Sequence, residues 1–117
     1  MRSFKRADRV APLILEILAD VIRHRIRDQL VKKAVLTRID IGDDLRLAKV
    51  FYQVLDDSDR TEVAAGLERA TGFLRRELSR QLEMKFVPEL RFKYDDSQEH
   101  INKVEQILRS LKPGEES

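Results

Sequence analysis

Three arginines and one glycine in the middle of the chain have the spacing of a helix face that could bind a polyanion. Arg69, Arg76 and Arg80 fall on the side of a predicted helix opposite its leucines, and Gly72 lies among them. Because a glycine within a helix costs about 1 kcal/mol relative to alanine, we expect a bend or a close backbone approach there. The arginines would neutralise phosphates, and the N–H groups of a helix starting after Gly72 would bind one. A solvated charged face is the simpler interpretation of the spacing and stays open.

Two further groups of basic residues could bind a similar partner. The open face of a predicted sheet has basic side chains around one aromatic ring that could stack a base of single-stranded RNA. This group comprises Arg38, Lys49, Phe51, Gln53, Arg91 and Lys93. An ordinary polar sheet face explains this group of residues equally well, because a single aromatic ring is a poor surface for stacking RNA bases. The other group is the polar side of the first predicted helix with the N-terminal arm: Arg2, Lys5, Arg6, Arg9, Arg23 and Arg27. There Asp20 can pair with Arg23.

Residue types that perform catalysis or bind metals are sparse. The chain has no cysteine, which excludes disulfide frameworks, thiolate zinc sites and thiol nucleophiles. His24 and His100 stand alone on predicted helices, without a second histidine one turn away. The acidic pairs Asp43-Asp44, Asp56-Asp57 and Asp95-Asp96 fall at turns or helix starts, where Asp is favoured for local hydrogen bonding. We therefore predict a protein that is not an enzyme and needs no metal or cofactor.

The composition predicts one domain with an uneven charge. A chain of 117 residues can close around one modest core. The net charge is only +2, but residues 1–33 hold nine basic against four acidic residues, and residues 94–117 hold three against six. No apolar run approaches the roughly 18 residues of a membrane span, and the N-terminus lacks the pattern of a secretory signal. We expect a domain over residues 1–111, a short polar tail over 112–117, and a cytoplasmic location without membrane contact.

Hydrophobic periodicity predicts a helix followed by a hairpin in the first half of the chain. The helix covers residues 9–27, with Asp8 as its N-cap and Pro12 in its first turn. Residues 34–42 and 48–54 alternate around a Gly/Asp turn, which is typical of two antiparallel strands. The first strand directs three apolar residues to one face: Val35, Ile39 and Ile41. The second directs four to one face: Ala48, Val50, Tyr52 and Val54.

The second half predicts two helices, a strand and a last helix. Asp59 and Glu62 have the form of a capping box at the start of a long apolar stripe. Its members are Val63, Leu67, Ala70, Leu74, Leu78 and Leu82. Gly72 favours a kink between two helices over one straight helix, and the change of axis would turn Phe73 inward. A strand opens at Pro88, and a last helix follows with a stripe of Ile101, Val104, Ile107, Leu108 and Leu111. The expected fold is α+β, with the order α-β-β-α-kink-α-β-α and helices on one face of a three-stranded sheet.

Three segments resemble the bacterial ribosome-binding factor A family in their order and spacing. They are Asp-Leu-Arg-Leu-Ala-Lys-Val-Phe at residues 44–51, the arginine-rich segment at 69–80, and Val-Pro-Glu-Leu-Arg-Phe-Lys-Tyr-Asp-Asp-Ser at 87–97. Arg9-Val10 before the first helix adds to the resemblance, which covers about residues 6–111. It implies a KH-type fold of the second topology, in which an Ala-x-Gly helix kink replaces the usual Gly-x-x-Gly RNA loop. That kink maps to Ala70, Thr71 and Gly72.

The resemblance also implies a role in ribosome biogenesis. Members of the family bind the small (30S) ribosomal subunit, contact its 16S rRNA and assist late maturation and rRNA processing, including in cold adaptation. Implied partners are the 30S subunit, 16S rRNA, ribosomal proteins and an assembly GTPase, and we expect a monomer. The predicted RNA-binding residues are Arg9, Arg23, Arg27, Arg69, Ala70, Thr71, Gly72, Arg76, Arg80 and Lys85. An adapter that binds an acidic protein surface is the alternative.

The segment after the first helix departs from the family pattern. The family usually has an Asp-Pro-Arg-x-Gly turn there, whereas this chain reads Asp-Gln-Leu-Val-Lys-Lys at residues 28–33. Only Asp28 is kept, so Lys32 or Lys33 would have to take the place of the arginine.

Overall fold

In the computed structural model of the chain, residues 6–55 and 59–111 are described, and they form three α-helices and a three-stranded mixed sheet. The order is α1 (Arg6–His24), a 3-10 helix (Val31–Lys33), β1 (Ala34–Ile41), β2 (Leu47–Val54), α2 (Arg60–Leu82), β3 (Glu89–Tyr94) and α3 (Ser97–Ser110). The central strand β2 pairs antiparallel with β1 and parallel with β3. The predicted α+β class and the three-stranded sheet are therefore confirmed, and α2 makes the crossover between the two parallel strands.

One hydrophobic core lies between the sheet and a layer formed by α1 and α2. The inner face of β2 is buried at alternate residues, as the sequence predicts. The helices contribute fully buried residues: Ile14 and Leu18 from α1, and Val63, Leu67, Leu74 and Leu78 from α2. Each such side chain stabilises the fold by about 1.5–3 kcal/mol relative to an exposed one, so these two stripes fix how the helices lie on the sheet.

The first helix differs from its prediction at both ends. α1 already includes Arg6, so Asp8 lies within the helix rather than at its N-cap, and Pro12 lies beyond the first turn. The helix ends at His24 instead of residue 27. The predicted partner of Asp20 is also wrong, because Asp20 Oδ1 lies 3.0 Å from Nδ1 of His24, one turn further on.

The middle helical region is one helix rather than two. α2 runs from Arg60 to Leu82 through Gly72, so the predicted division at that glycine is wrong. The hydroxyl of Thr71 donates to the carbonyl of Leu67 at 2.9 Å, which satisfies it within the helix. Burial of the leucine stripe on both sides of Gly72 outweighs the roughly 1 kcal/mol that the glycine costs. Phe73 is partly buried against the core without any break.

The predicted capping box at the start of α2 does not form. Asp59 holds the N-cap position, but its side chain makes no capping hydrogen bond. Its carboxylate pairs instead with the ammonium group of Lys33, which ties the start of α2 to the 3-10 helix.

A β-bulge interrupts the alternation of β1. The pairing register with β2 shifts between Leu36 and Arg38, which leaves Thr37 as the extra residue. Residues before the bulge therefore face the opposite way from the prediction: Val35 is exposed, while Leu36 packs against the core. After the bulge, Ile39 and Ile41 pack against the core as predicted. Strict alternation placed Val35 on the wrong face because a single extra residue reverses the pattern.

The last helix extends away from the core. None of the residues of α3 is buried, and its predicted apolar stripe is exposed along its whole length. The junction before α3 is nevertheless anchored, because the buried carboxylate of Asp95 accepts hydrogen bonds from the Thr37 hydroxyl at 2.5 Å and from the backbone N–H of Ser97 at 3.0 Å. Among the α-helices of the described ranges, only α1 and α2 therefore cover the inner face of the sheet. In the part of the chain described, no helix is long and apolar enough to span a membrane.

Candidate nucleic-acid interface

The predicted RNA-binding residues do not line one common cleft. Gly72, Arg76 and Lys85 line a shared cleft beside the C-terminal half of α2. Arg23 lines a different cleft, with Lys32 and residues of β1. Two others, Arg9 and Arg27, are exposed. Lys85 lines two clefts, and neither Arg9 nor Arg27 lines either of them. The structure thus places Gly72 and Arg76 with Lys85 at one cleft and Arg23 at another, while the loop after α1 contacts α2 through Asp28 and Arg69.

Two of the three predicted arginines on α2 have acidic partners within the protein. Nη2 of Arg69 lies 3.6 Å from Oδ2 of Asp28. Arg80 donates a hydrogen bond to Glu77, one turn back in the helix. Nη1 of Arg25 lies 3.3 Å from Oε1 of the same carboxylate. Glu77 is buried, and its hydrogen bond with Arg80 lowers its pKa despite that burial. Arg80 and Arg25 therefore stabilise a buried charge.

Arg76 is the member of the trio with no acidic partner among residues 6–55 and 59–111. Its guanidinium lies over Gly72: Nη1 is 3.6 Å from the point that a Cβ on Gly72 would occupy. Gly72 is exposed and has no positive φ, so neither its backbone conformation nor crowding requires glycine. Because α2 is continuous, no helix N-terminus begins there, and the predicted N–H contribution to phosphate binding is wrong. What remains is an open stretch of helix backbone beside an unpaired cation.

The glycine that packing does require is Gly66, which the sequence analysis overlooked. It is buried, and a Cβ on it would lie 2.7 Å from Cγ2 of Val31. The same region explains Asp28, whose Oδ1 accepts the backbone N–H of Leu30 at 2.9 Å while its other oxygen faces Arg69. Asp28 in the altered turn after the first helix therefore has a structural role.

Arg75 is a second residue that sequence reasoning missed. Its Nη2 donates to the carbonyl of Val87 at 2.9 Å, and its Nε donates to the carbonyl of Pro88 at 3.2 Å. These bonds tie α2 to the segment before β3, and Arg75 lines three neighbouring clefts on this side of the molecule. No sequence signal marks it, because its acceptors are backbone carbonyls that come into reach only in the folded chain.

The two other basic groups predicted from sequence are weaker candidates. On the open sheet face the guanidinium of Arg38 lies 3.7 Å from the ring centroid of Phe51, so the one aromatic there is already covered. Arg91 on that face pairs with Glu89 at 3.1 Å. Of the N-terminal arm, Arg2 and Lys5 lie outside the described residues.

Asp44 and Asp95 make the local hydrogen bonds expected of turn residues, whereas the side chain of Asp96, at the N-cap of α3, makes no capping hydrogen bond. Asp44 Oδ1 accepts the backbone N–H of Arg46 at 3.1 Å, and Asp95 holds the start of α3. Asp56 and Asp57 lie outside the described residues. Over the described part of the chain, no group of three or more His, Asp or Glu side chains could hold a metal ion.

Comparison with known sequences gives a consistent result. The model of a family described as ribosome-binding factor A matches residues 6–108. Ribosome-binding factor A of Syntrophus aciditrophicus is 39% identical over 118 residues, covering 100% of this chain and 96% of that protein. The protein of the same name from Geobacter sulfurreducens is 41% identical over 109 residues, covering 92% of each chain.

Solved structures show the same fold. The crystal structure of ribosome-binding factor A from Thermus thermophilus has a TM-score of 0.65 at 18% identity, covering 74% of this chain and 91% of that one. A homology model of the Thermus thermophilus factor, fitted into a cryo-EM map of its 30S complex, gives a TM-score of 0.62 at 19% identity, with coverage of 74% and 91%. A solution structure from Thermotoga maritima gives 0.61 at 24%, with coverage of 78% and 91%. These matches confirm the KH-like fold. With a family model that matches nearly the whole chain and relatives near 40% identity, the chain belongs to the ribosome-binding factor A family.

Proposed function

We propose that the protein binds the small (30S) ribosomal subunit through its 16S rRNA and assists late maturation and processing of that RNA without catalysing a reaction. Family membership supports this proposal, as does the fold shared with a Thermus thermophilus factor that was fitted into a 30S complex. The contact surface would be the residues around the open part of α2, namely Gly72, Arg75, Arg76 and Lys85, which we call the Gly72 surface.

The observation that best supports this choice is the position of Arg76 across Gly72. An arginine without an acidic partner attracts phosphate, and each contact of this kind releases counterions from the RNA. Gly72 adds room, because an exposed helix position without a side chain lets an RNA backbone come close to the guanidinium. Lys85 lines the same cleft and supplies a second positive charge. Phosphate contacts would dominate the affinity, and the shape of the RNA would select the site.

Charge reversal at one position tests this assignment. Arg76→Glu places a carboxylate where a phosphate would lie, and we expect binding to immature 30S subunits to weaken about tenfold or more. Lys103→Glu, on the exposed face of α3, changes the net charge equally and serves as the matched control. Binding is measured by co-sedimentation with subunits, and a melting curve establishes that each variant is folded. Equal binding by a folded Arg76→Glu variant would remove the Gly72 surface from the proposal.

A variant that also changes Arg80 would be a poor test. Arg80 is bonded to the buried Glu77, so a second carboxylate beside it would destabilise the fold by like-charge repulsion. Treating the 30S complex with RNase separates RNA binding from the adapter alternative, because an association with an acidic protein surface would survive.

The remaining parts of the proposal follow from a role in assembly of the small subunit. We infer a cytoplasmic location, one domain over residues 1–111, and a monomer that meets ribosomal proteins and an assembly GTPase on the subunit. A contribution to growth in the cold belongs to the same proposal.

A further inference from the structure

A cleft of about 660 Å³ opens between the β1–β2 turn, the segment that joins α2 to β3, and the start of α1. Its volume lies within the range of pockets that hold a small ligand. It adjoins the Gly72 surface, because Arg75 and Lys85 line both.

An exposed aromatic side chain lies in the wall of the cleft. Phe86 is 75% exposed. It is the one aromatic residue among the exposed large apolar side chains of the described ranges. The ammonium group of Lys85 lies 5.7 Å from its ring centroid, within the distance of a cation–π contact. An exposed ring beside a cation is the arrangement on which single-stranded nucleic acids stack their bases.

The rim of the cleft is positive. Four cations line it: Arg6, Arg46, Arg75 and Lys85. Its lining has two carboxylates, Asp44 and Glu89, and Glu89 pairs with Arg91, so cations outnumber carboxylates by four to two. The cleft therefore favours an anionic ligand that also has a flat apolar part.

Backbone strain is concentrated in the two loops that form this cleft. Leu45, which lines it, has φ of 59°, and Glu83, which ends α2 directly before the lining residues Met84 to Phe86, has φ of 54°. Over the described ranges these are the only residues other than glycine with positive φ. Non-glycine residues in this conformation cost of order 1–3 kcal/mol and cluster at binding sites, where the strain holds a loop in the required shape.

The geometry points to a site for one unpaired RNA nucleotide, with its base stacked on Phe86 and its phosphate bound by Arg46 and Lys85. This inference deepens the proposed function and rests on it. It differs from the phosphate contacts of the Gly72 surface because it requires a base that is free of pairing. RNA with an unpaired nucleotide next to the site bound by Arg76 would therefore bind more tightly than a continuous duplex.

The chain has no tryptophan, which gives a direct test. Phe86→Trp keeps a stacking ring and introduces a single indole whose fluorescence is quenched when a base stacks on it. The probes are a short single-stranded oligoribonucleotide and an abasic strand of the same length and backbone. We expect quenching by the first and none by the second, although both bind through their phosphates. Equal quenching by the two strands would overturn the base site.

Truncation of the ring gives an independent measurement. Phe86→Ala should weaken binding of the base-containing strand by roughly 5- to 150-fold and leave binding of the abasic strand unchanged. Leu55→Ala removes an equally exposed apolar side chain, 76% in solvent, that does not line the cleft, and should change neither. Wild-type affinity of Phe86→Ala for the base-containing strand would also overturn the base site.

The two proposals can fail separately. If Arg76→Glu loses binding to 30S subunits while Phe86→Ala binds them normally and Phe86→Trp shows no quenching, the base site is wrong and the proposed function stands. If the oligonucleotide results are as expected but the wild-type protein does not bind 30S subunits, the cleft binds a nucleotide and the proposed function fails.

Discussion

Individual residues on α2 divide into those that hold the fold together and those that remain available to a partner. Gly66, Glu77 and Arg80 belong to the first group, because each is buried or bonded to a buried group. Gly72 and Arg76 belong to the second, since both are exposed and no internal contact requires them. The residues available to a partner are therefore those that can be substituted without loss of the fold.

The two glycines should therefore respond in opposite ways to alanine. Gly66→Ala forces a methyl group against Val31, and overpacking of about 1–3 kcal/mol outweighs the gain of about 1 kcal/mol in helix propensity, so the melting temperature falls. Gly72→Ala meets only ordinary contact and should be more stable by up to about 1 kcal/mol, while binding to 30S subunits weakens. Denaturant melts and co-sedimentation measure the two effects. Full binding by Gly72→Ala would show that no partner approaches the helix backbone there.

Among the secondary-structure elements, α3 is distinguished by having an apolar face and nothing to cover it in the described part of the chain. Its connection to the rest of the fold is polar. Asp95 accepts hydrogen bonds from Thr37 and Ser97. Nη1 of Arg60, in α2, lies 3.4 Å from Oε1 of Glu99. The bulge in β1 makes Thr37 the extra residue, and its hydroxyl reaches Asp95 across the central strand. The position of α3 is thus set by its first turn and by hydrogen bonds, while the other helices are set by burial.

The Asp95 junction predicts a dependence of stability on pH. Hydrogen bonds from Ser97 and Thr37 lower the pKa of Asp95 from 3.8 to about 2. Because the folded pKa is lowered, the ionised carboxylate stabilises the fold above about pH 4, and this contribution is lost as the pH falls towards 2. The Asp95→Asn variant should be less stable than the wild type at neutral pH, and it should lose less stability than the wild type between about pH 4 and pH 2. Urea melts at stepped pH values measure this, and parallel curves for the two proteins would contradict it.

Exposure of α3 predicts its behaviour in hydrogen exchange. A helix of 14 residues without tertiary packing is marginal in water, because its stability depends on burying an apolar face. We expect the amides of α3 in the free protein to exchange at least about a hundredfold faster than those of the buried half of α2. Slow exchange that depends on protein concentration would instead mean that a second copy covers the stripe.

At the scale of the whole molecule, the clefts around Arg75 give one side of the protein a largely basic lining. Arg75 lines the Gly72 surface, the cleft that contains Phe86, and a third cleft between α2 and β3 that Thr71 and Phe92 also line, so a single RNA strand could follow all three. The net charge of +2 is too small to produce such a surface by itself. Its basic character arises because folding brings Arg46, which is distant in the chain, to the same side as Arg75, Arg76 and Lys85.

This surface predicts a defined response to salt. If four of its cations contact phosphates, the logarithm of the binding constant should fall against the logarithm of salt concentration with a slope of about −3 to −4. Titrations of 30S binding at several potassium concentrations give the slope, and Arg76→Glu should make it shallower by about one. A flat response would favour docking through a protein contact.

The sequence alone predicted the three strands, the inner face of β2, the core stripe of α2, and the family. These features follow from local periodicity and from short sequence motifs, both of which can be read from the order of residues alone. It did not predict the bulge at Thr37, the continuity of α2 or the exposure of α3, because each depends on packing between distant segments. The choice among the arginines also required the tertiary structure. Asp28 and Arg69, or Arg25 and Glu77, are far apart in the chain, and only their contact in space leaves Arg76 without an acidic partner among the described residues.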